Sequence, residues 1–209
     1  MPDLILDSNH IYRLGDRILP STTQILGEYI KIELYGEVWW VHTPTGTAIA
    51  GHIMEQARQI GNAIHKIAFY IFTGQGIDTK SLHPVLVEPA KQIILWADKY
   101  KPEVILCEKP LASTKYGYAG MLDLFAKLKG YKRPCLIDLK SGMSFMVTPQ
   151  VASYEHLIHE NQYKGMIDKF VLRIPKDGSP YEFQELKEKT AFMFFLNKLY
   201  EHNYLRSRK

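Results

Sequence analysis

The sequence predicts a single α/β domain built on a central mixed sheet flanked by helices. Three observations lead there. Apolar residues recur at steps of three and four between Thr47 and Phe72, the period of an amphipathic helix. Three strand-like runs follow closely over Glu103–Pro110, Tyr116–Leu128 and Cys135–Lys140, with connections short enough for an antiparallel meander. A helix and a further strand then come after the third run, the order that adds a strand to one edge of a sheet.

Taken in order, residues 10–20 form a hairpin around a Gly15-Asp16 turn, and Ser21-Thr22 caps a short helix through about Tyr29. The stretch 34–47, with Trp39-Trp40 and its threonine, proline and glycine turns, reads as irregular, so residues 1–46 make a hairpin, a short helix and a loop. The helix from Thr47 carries Ile49, Ile53, Ala57, Ile60, Ile64, Ile67 and Ile71 as one stripe and ends at Gly74 and Gly76. A second helix covers Val85–Lys99, entered through Pro84 and left before Pro102. After the meander, Thr148-Pro149 starts a helix to about His159, and Lys169–Ile174 is a fourth strand. The core thus spans 47–175, and a final amphipathic helix covers about 183–202. There is no internal repeat or break in composition, so residues 1–209 are expected to be one domain.

Composition narrows the class. Hydrophobic residues at 46% and charged residues at 23% are ordinary globular values, and a net charge of +4 fits a polyanionic partner without requiring one. Cys107 and Cys135 stand alone in apolar runs, which excludes a four-cysteine zinc site or an iron–sulfur cluster and gives no disulfide framework. No P-loop is present, hence no expectation of a bound nucleotide cofactor. The start has neither a basic segment nor a long apolar one, and no stretch reaches the length of a membrane span. The expectation is a cytoplasmic protein with no membrane contact.

The chemistry concentrates between residues 118 and 154. Asp138 and Lys140 are two apart on one strand and share a face, while Asp123 lies near the end of its neighbour. Hydrolysis of a phosphodiester needs a deprotonated water and compensation of charge on the phosphate. Carboxylates such as Asp123 and Asp138 can hold Mg²⁺ or Mn²⁺ for that purpose, with the Leu139 carbonyl completing a face of the ion and Lys140 positioning the nucleophile or offsetting charge. A lone Asp-x-Lys is more often a surface ion pair, but Leu136-Ile137 drives this one to the end of a buried strand. His65 flanks the apolar helical stripe, with Gly61 one turn before it leaving room for the imidazole. Gln150 and Tyr154 share a helix face, where packing and one hydrogen bond to the sheet is the plain role. Ser141 is a candidate phosphate contact, and Tyr116 and Tyr118 can stack on unpaired bases or pack on the sheet. Lys109, Lys115 and the corner Lys129, Lys132 and Arg133 are candidate phosphate contacts.

Glu108, Tyr118-x-Gly120-x-x-Asp123, Asp138-x-Lys140 and Gln150-x-x-x-Tyr154 together resemble the PD-(D/E)XK nuclease superfamily. The nearest likeness is to the RecB-type and phage-type exonucleases, with the mitochondrial genome maintenance exonucleases among them. Leu19-Pro20-Ser21-Thr22-Thr23-Gln24-Ile25-Leu26 and Gly61-x-x-x-His65 are similar to the family's upstream segments, so the likeness runs in order from about residue 10 to 180. Lys66 departs from the pattern, since relatives often carry an acid there. The resemblance implies a restriction-endonuclease-like core of order αβββαβ. It also implies a metal held by His65, Asp123, Asp138 and Glu108, with Glu108 an accessory ligand, and catalysis by Asp123, Asp138 and Lys140. Gln150 and Tyr154 are expected to line the site and contact DNA.

The expected activity is a Mg²⁺- or Mn²⁺-dependent DNA exonuclease serving recombination, repair or replication, with a phage or mobile-element origin placing it in the host cytoplasm. The partner is DNA, single-stranded or with free ends, and the chain could work as a homo-oligomer or within a recombination or replication complex. A structure-specific or restriction-type endonuclease would use the same residues. A noncatalytic DNA-binding module is disfavoured, because both aspartates and the lysine are present.

Overall fold

The computed structural model describes residues 3–7, 10–34, 37–43, 51–142, 145–161 and 163–208, and for 28–34, 37–43 and 51–58 the backbone alone. A small antiparallel sheet opens the chain: β1 (Leu4–Leu6), β2 (Tyr12–Leu14) and β3 (Arg17–Leu19). Gly15 makes the expected turn at φ 59°, in the left-handed region that glycine adopts without a Cβ clash. The helix α1 (Thr22–Leu26) begins with a reciprocal cap, in which Ser21 Oγ accepts the Gln24 N–H and Gln24 Oε1 accepts the Ser21 N–H. It stops before the expected Tyr29 because Gly27, at φ 68°, turns the chain back and donates its N–H to Thr23 O.

Within the stretch 34–47 expected to be irregular, residues 37–43 form a strand instead: β4 (Glu28–Leu34) pairs antiparallel with β5 (Glu37–Thr43), while 35–36 and 44–47 lie outside the described residues. Valines, isoleucines and tryptophans fill these two runs, and their preference for extended backbone prevails over the turn signals. The role of the Trp39 and Trp40 side chains lies outside the described residues, as do residues 47–50, the expected start of the next helix with Ile49 of its stripe, and the side chains of Ile53 and Ala57.

Two long helices follow, α2 (Gly51–Phe72) and α3 (Pro84–Tyr100). Proline at the first position of α3 sacrifices no intrahelical hydrogen bond, and Lys101, left-handed at φ 44°, ends it by donating its N–H to Ala97 O. The central sheet has five strands in the order β10-β9-β8-β7-β6. Its members are β6 (Glu103–Ser113), β7 (Tyr118–Lys127), β8 (Cys135–Lys140), β9 (Asp168–Arg173) and β10 (Glu182–Glu185). β6, β7 and β8 form the expected antiparallel meander. α4 (Val147–Asn161) then carries the chain over one face to β9, which pairs parallel to β8, so the sheet is mixed.

The last expected helix divides in two. Residues 182–185 are the strand β10, antiparallel to β9, and α5 (Ala191–Arg206) starts only afterwards. Phe183 explains the division: its ring stacks on Phe170 at 4.6 Å and meets Trp96 at 5.4 Å, contacts that an edge strand supplies.

Each face of the sheet has its own core. On one, Leu122, Phe125 and Leu136 pack with Val151, Leu157 and Phe195 of α4 and α5. On the other, Leu124, Ile137, Leu139 and Leu172 pack with Ile64, Ile67, Ile93 and Trp96 of α2 and α3. Side chains alternate across a strand, so in β8 Asp138 and Lys140 follow Leu136 onto the α4 side. Among the described residues no helix is long and apolar enough to cross a membrane.

Candidate metal centre

The β7–β8 ladder pairs Ala126 with Cys135, Phe125 with Leu136 and Leu124 with Ile137, and ends there. Asp123 and Asp138 stand just beyond its last pair, where the two strands part. The seam lets groups from both faces of the sheet approach one another. Asp123 spans it: Oδ1 is 3.3 Å from His65 Nδ1 on α2, and Oδ2 accepts the Leu139 N–H at 2.6 Å.

Glu108 comes from the other neighbour of β7. Its carboxylate lies 3.6 Å from His65 Nδ1, so one imidazole nitrogen faces two acids. Ligand atoms of His65, Glu108 and Asp123 all fall within 4.8 Å of one another, the compact group that a cation requires. Glu108 adopts φ 46° inside a strand, where a residue with a Cβ is strained. Strain of this kind at a cluster of titratable groups is a mark of a functional position.

Asp138 is 1% exposed and lies outside that compact group. Lys140 Nζ sits 2.7 Å from its Oδ2, yet neither carboxylate oxygen accepts a well-directed hydrogen bond. A buried acid so poorly satisfied is costly, and burial raises its pKa to about 6; the Lys140 charge opposes the rise and Asp123 adds to it. Burial works against the Lys140 charge as well, but Asp138 and Asp123 outweigh it and hold the ammonium protonated. Burial also disfavours a charged His65, and Asp123 and Glu108 reverse this, lifting its pKa to about 10. Asp123 runs the opposite way: burial would raise it, but His65, Lys140 and the Leu139 N–H hold it below the usual carboxylate range.

The expected residues fall into distinct places. His65, Glu108 and Asp123 meet, with Asp138 and Lys140 beside them across the seam. Leu139 reaches the site through its N–H, which donates to Asp123. Ser141, next after Lys140, is half-buried against α2, and its Oγ would lie 3.3 Å from a Cβ at position 61. The space left by Gly61 thus receives the Ser141 hydroxyl. Gln150 Nε2 donates to Tyr154 Oη at 3.0 Å, and both residues are buried behind Asp138.

For two tyrosines the packing role holds, and the expected contact with a base or DNA is corrected. Tyr118 is wholly buried, donates its hydroxyl to Ser153 O and packs on Phe195, so no ring face is open to a base. Tyr154 is likewise enclosed; its ring fills the space that a Cβ at Gly120 would occupy, 2.5 Å from Cε1. Tyr118 and Gly120 therefore dock β7 on α4, and these contacts fix where Asp123 falls. The basic corner at Lys129, Lys132 and Arg133 precedes β8, at the opposite end of that strand from Lys140.

Sequence reasoning passed over Arg173, which pairs with Lys140 across the parallel ladder. Alternation in β9 puts Arg173 on the face of Val171, but only the register sets it beside Lys140. The left-handed backbone of Glu108 has no sequence signal. Compared with protein-family models and with curated proteins, the chain matches none.

Proposed function

We propose that this chain is a divalent-metal-dependent deoxyribonuclease that hydrolyses phosphodiester bonds from DNA ends. One observation carries the reading: His65, Glu108 and Asp123 converge within 4.8 Å, beside a buried Asp138–Lys140 pair whose carboxylate lacks well-directed hydrogen bonds. The choice of DNA as substrate draws on the likeness of the motif series to PD-(D/E)XK nucleases, and the net charge of +4 agrees with it.

The donor set suits Mg²⁺ or Mn²⁺, since two carboxylates and one imidazole supply hard oxygens and a single nitrogen. His65, Glu108 and Asp123 would hold the ion, with Asp138 turned to it from across the seam. When bound, the ion lowers the pKa of water and neutralises charge on the phosphate. Lys140 stays protonated, so its part is to orient the nucleophile and offset negative charge rather than to accept a proton. Asp138 holds that ammonium in position. The Leu139 N–H fixes the Asp123 carboxylate. Glu108 keeps its aim through a strained backbone.

Linear and circular DNA, each incubated with Mg²⁺, Mn²⁺ or EDTA, test the reading. Cleavage of linear DNA that requires the ion and is lost in Lys140→Ala is expected, with circles left intact. Cutting of circles would convert the reading to an endonuclease. Ion-independent cleavage, or full activity in Lys140→Ala, would overturn the site assignment.

A further inference from the structure

On the α4 side of the sheet a cavity of about 290 Å³ opens beside Lys140, lined by Phe145, Val171, Arg173, Glu182 and Gln184. The strand register builds it. Lys140 pairs with Arg173 across the parallel ladder, and Arg173 pairs with Glu182 across the antiparallel one, which makes a charged row over three strands. The next row on the same face runs Asp138, Val171, Gln184. The cavity is thus continuous with the Asp138–Lys140 pair and shares a wall with it.

Its lining divides into apolar side chains, Phe145 and Val171, and the polar Arg173, Glu182 and Gln184. Phe145 is 53% exposed at the approach to α4, and Val171 is the floor. Arg173 grips Glu182 through both Nε and Nη2, with Nε to Oε2 at 3.0 Å, so the guanidinium plane is fixed before any ligand arrives. Fixed N–H donors, carboxylate lone pairs and the Gln184 amide can pair with both donors and acceptors. With Arg173 and Glu182 cancelling in charge, this polar lining suits a neutral, hydrogen-bonding ring better than a phosphate. The volume sits at the lower end of ligand pockets, which run from roughly 300 Å³ upward, and admits one such ring rather than a duplex.

We propose that this cavity is a base-reading subsite: it takes the nucleobase next to the phosphate at Lys140, stacked on Phe145 and hydrogen-bonded at its edge by Arg173, Glu182 and Gln184. The inference rests on the nuclease reading for the phosphate, while the base contact has a readout of its own. Stacking on an aromatic side chain together with edge hydrogen bonds is how an unstacked base is held in other nucleic-acid proteins. The consequence is a preference among the four bases at one position of the substrate, set by residues that do not touch the reacting atoms.

The test uses single-stranded oligonucleotides carrying 2-aminopurine at one end or the other, in Ca²⁺ or EDTA. One of the two probes is expected to lose fluorescence several-fold on binding the native protein. Phe145→Leu should abolish that loss and Phe145→Tyr should restore it. In Mn²⁺, the native protein should rank the four terminal bases over roughly ten-fold in kcat/KM through its edge hydrogen bonds, and Arg173→Gln should flatten the ranking. Unchanged quenching in Phe145→Leu, or a base ranking identical in Arg173→Gln, overturns the subsite. The two readings fail separately: quenching without cleavage keeps the subsite and removes the nuclease, and cleavage without quenching does the reverse.

Discussion

Replacing Asp138 with asparagine separates stability from function, and the structure sets the size of the effect. The carboxylate is 1% exposed, and its pKa stands near 6 against an ordinary 3.8. At about 1.4 kcal/mol for each tenfold change, keeping it ionised costs the metal-free fold about 3 kcal/mol above pH 6. The sign follows from linkage: with the folded pKa raised, the folded state gains stability relative to the unfolded chain as pH falls from 6 towards 4, because the buried group takes up a proton. The asparagine side chain escapes that cost, while losing the Asp138 charge leaves Lys140 with Asp123 as the other acid acting on it and offsets part of the gain, so linkage leaves a net gain at pH 8 of about 1–3 kcal/mol. For a chain of this length that is roughly 2–12 °C in Tm. Thermal unfolding of both proteins in EDTA at pH 8 and pH 4 measures it. Asp138→Asn should unfold later at pH 8, the difference should shrink towards pH 4, and added Mn²⁺ should stabilise the native protein more than the variant. A variant less stable than the native protein at pH 8, or a gain independent of pH, would refute the reasoning.

Other consequences are equally specific. His65 holds its proton up to about 10, and a metal takes the neutral ring, so Mn²⁺ affinity should rise from pH 6 to 9 with release of about one proton per ion. Calorimetry at pH 8, where Asp138 is already ionised, in two buffers of different ionisation enthalpy counts that proton, and His65→Gln should release none. Gly120→Ala drives a Cβ to within 2.5 Å of Tyr154 and 2.9 Å of Thr22, and should cost about 1–3 kcal/mol in urea unfolding. Glu108→Asn relieves a left-handed backbone that asparagine tolerates, so the metal-free protein should be as stable or up to about 1 kcal/mol more so, while Mn²⁺ binding weakens.

Much of the fold could be read from local pattern. The part of the isoleucine stripe in α2 that is described (Ile60, Ile64, Ile67 and Ile71), the proline at the head of α3 and the alternation in β8 each act within one element, and each appears where expected. What escaped was set by pairing. Residues 28–34 and 37–43 became strands against one another, and Phe183 left a helical pattern because Phe170 and Trp96 waited on the far side of an edge strand. The site divides the same way. Asp138-x-Lys140 was legible because period two fixes a shared face. Tyr118 and Gly120 were noticed by spacing, but spacing alone left Tyr118 open between a base and the sheet and gave Gly120 no role: their burial against α4 follows from a helix packing that no spacing within β7 reveals. Arg173 was missed because only a parallel register brings it to Lys140.

Anomalous scattering from crystals grown with Mn²⁺ tests the central claim most directly. The account predicts a peak in coordination distance of His65 Nδ1, Glu108 and Asp123, with the Asp138 carboxylate turned towards it, and its loss in Asp123→Asn. A peak elsewhere on the protein, or none at saturating Mn²⁺, would contradict it.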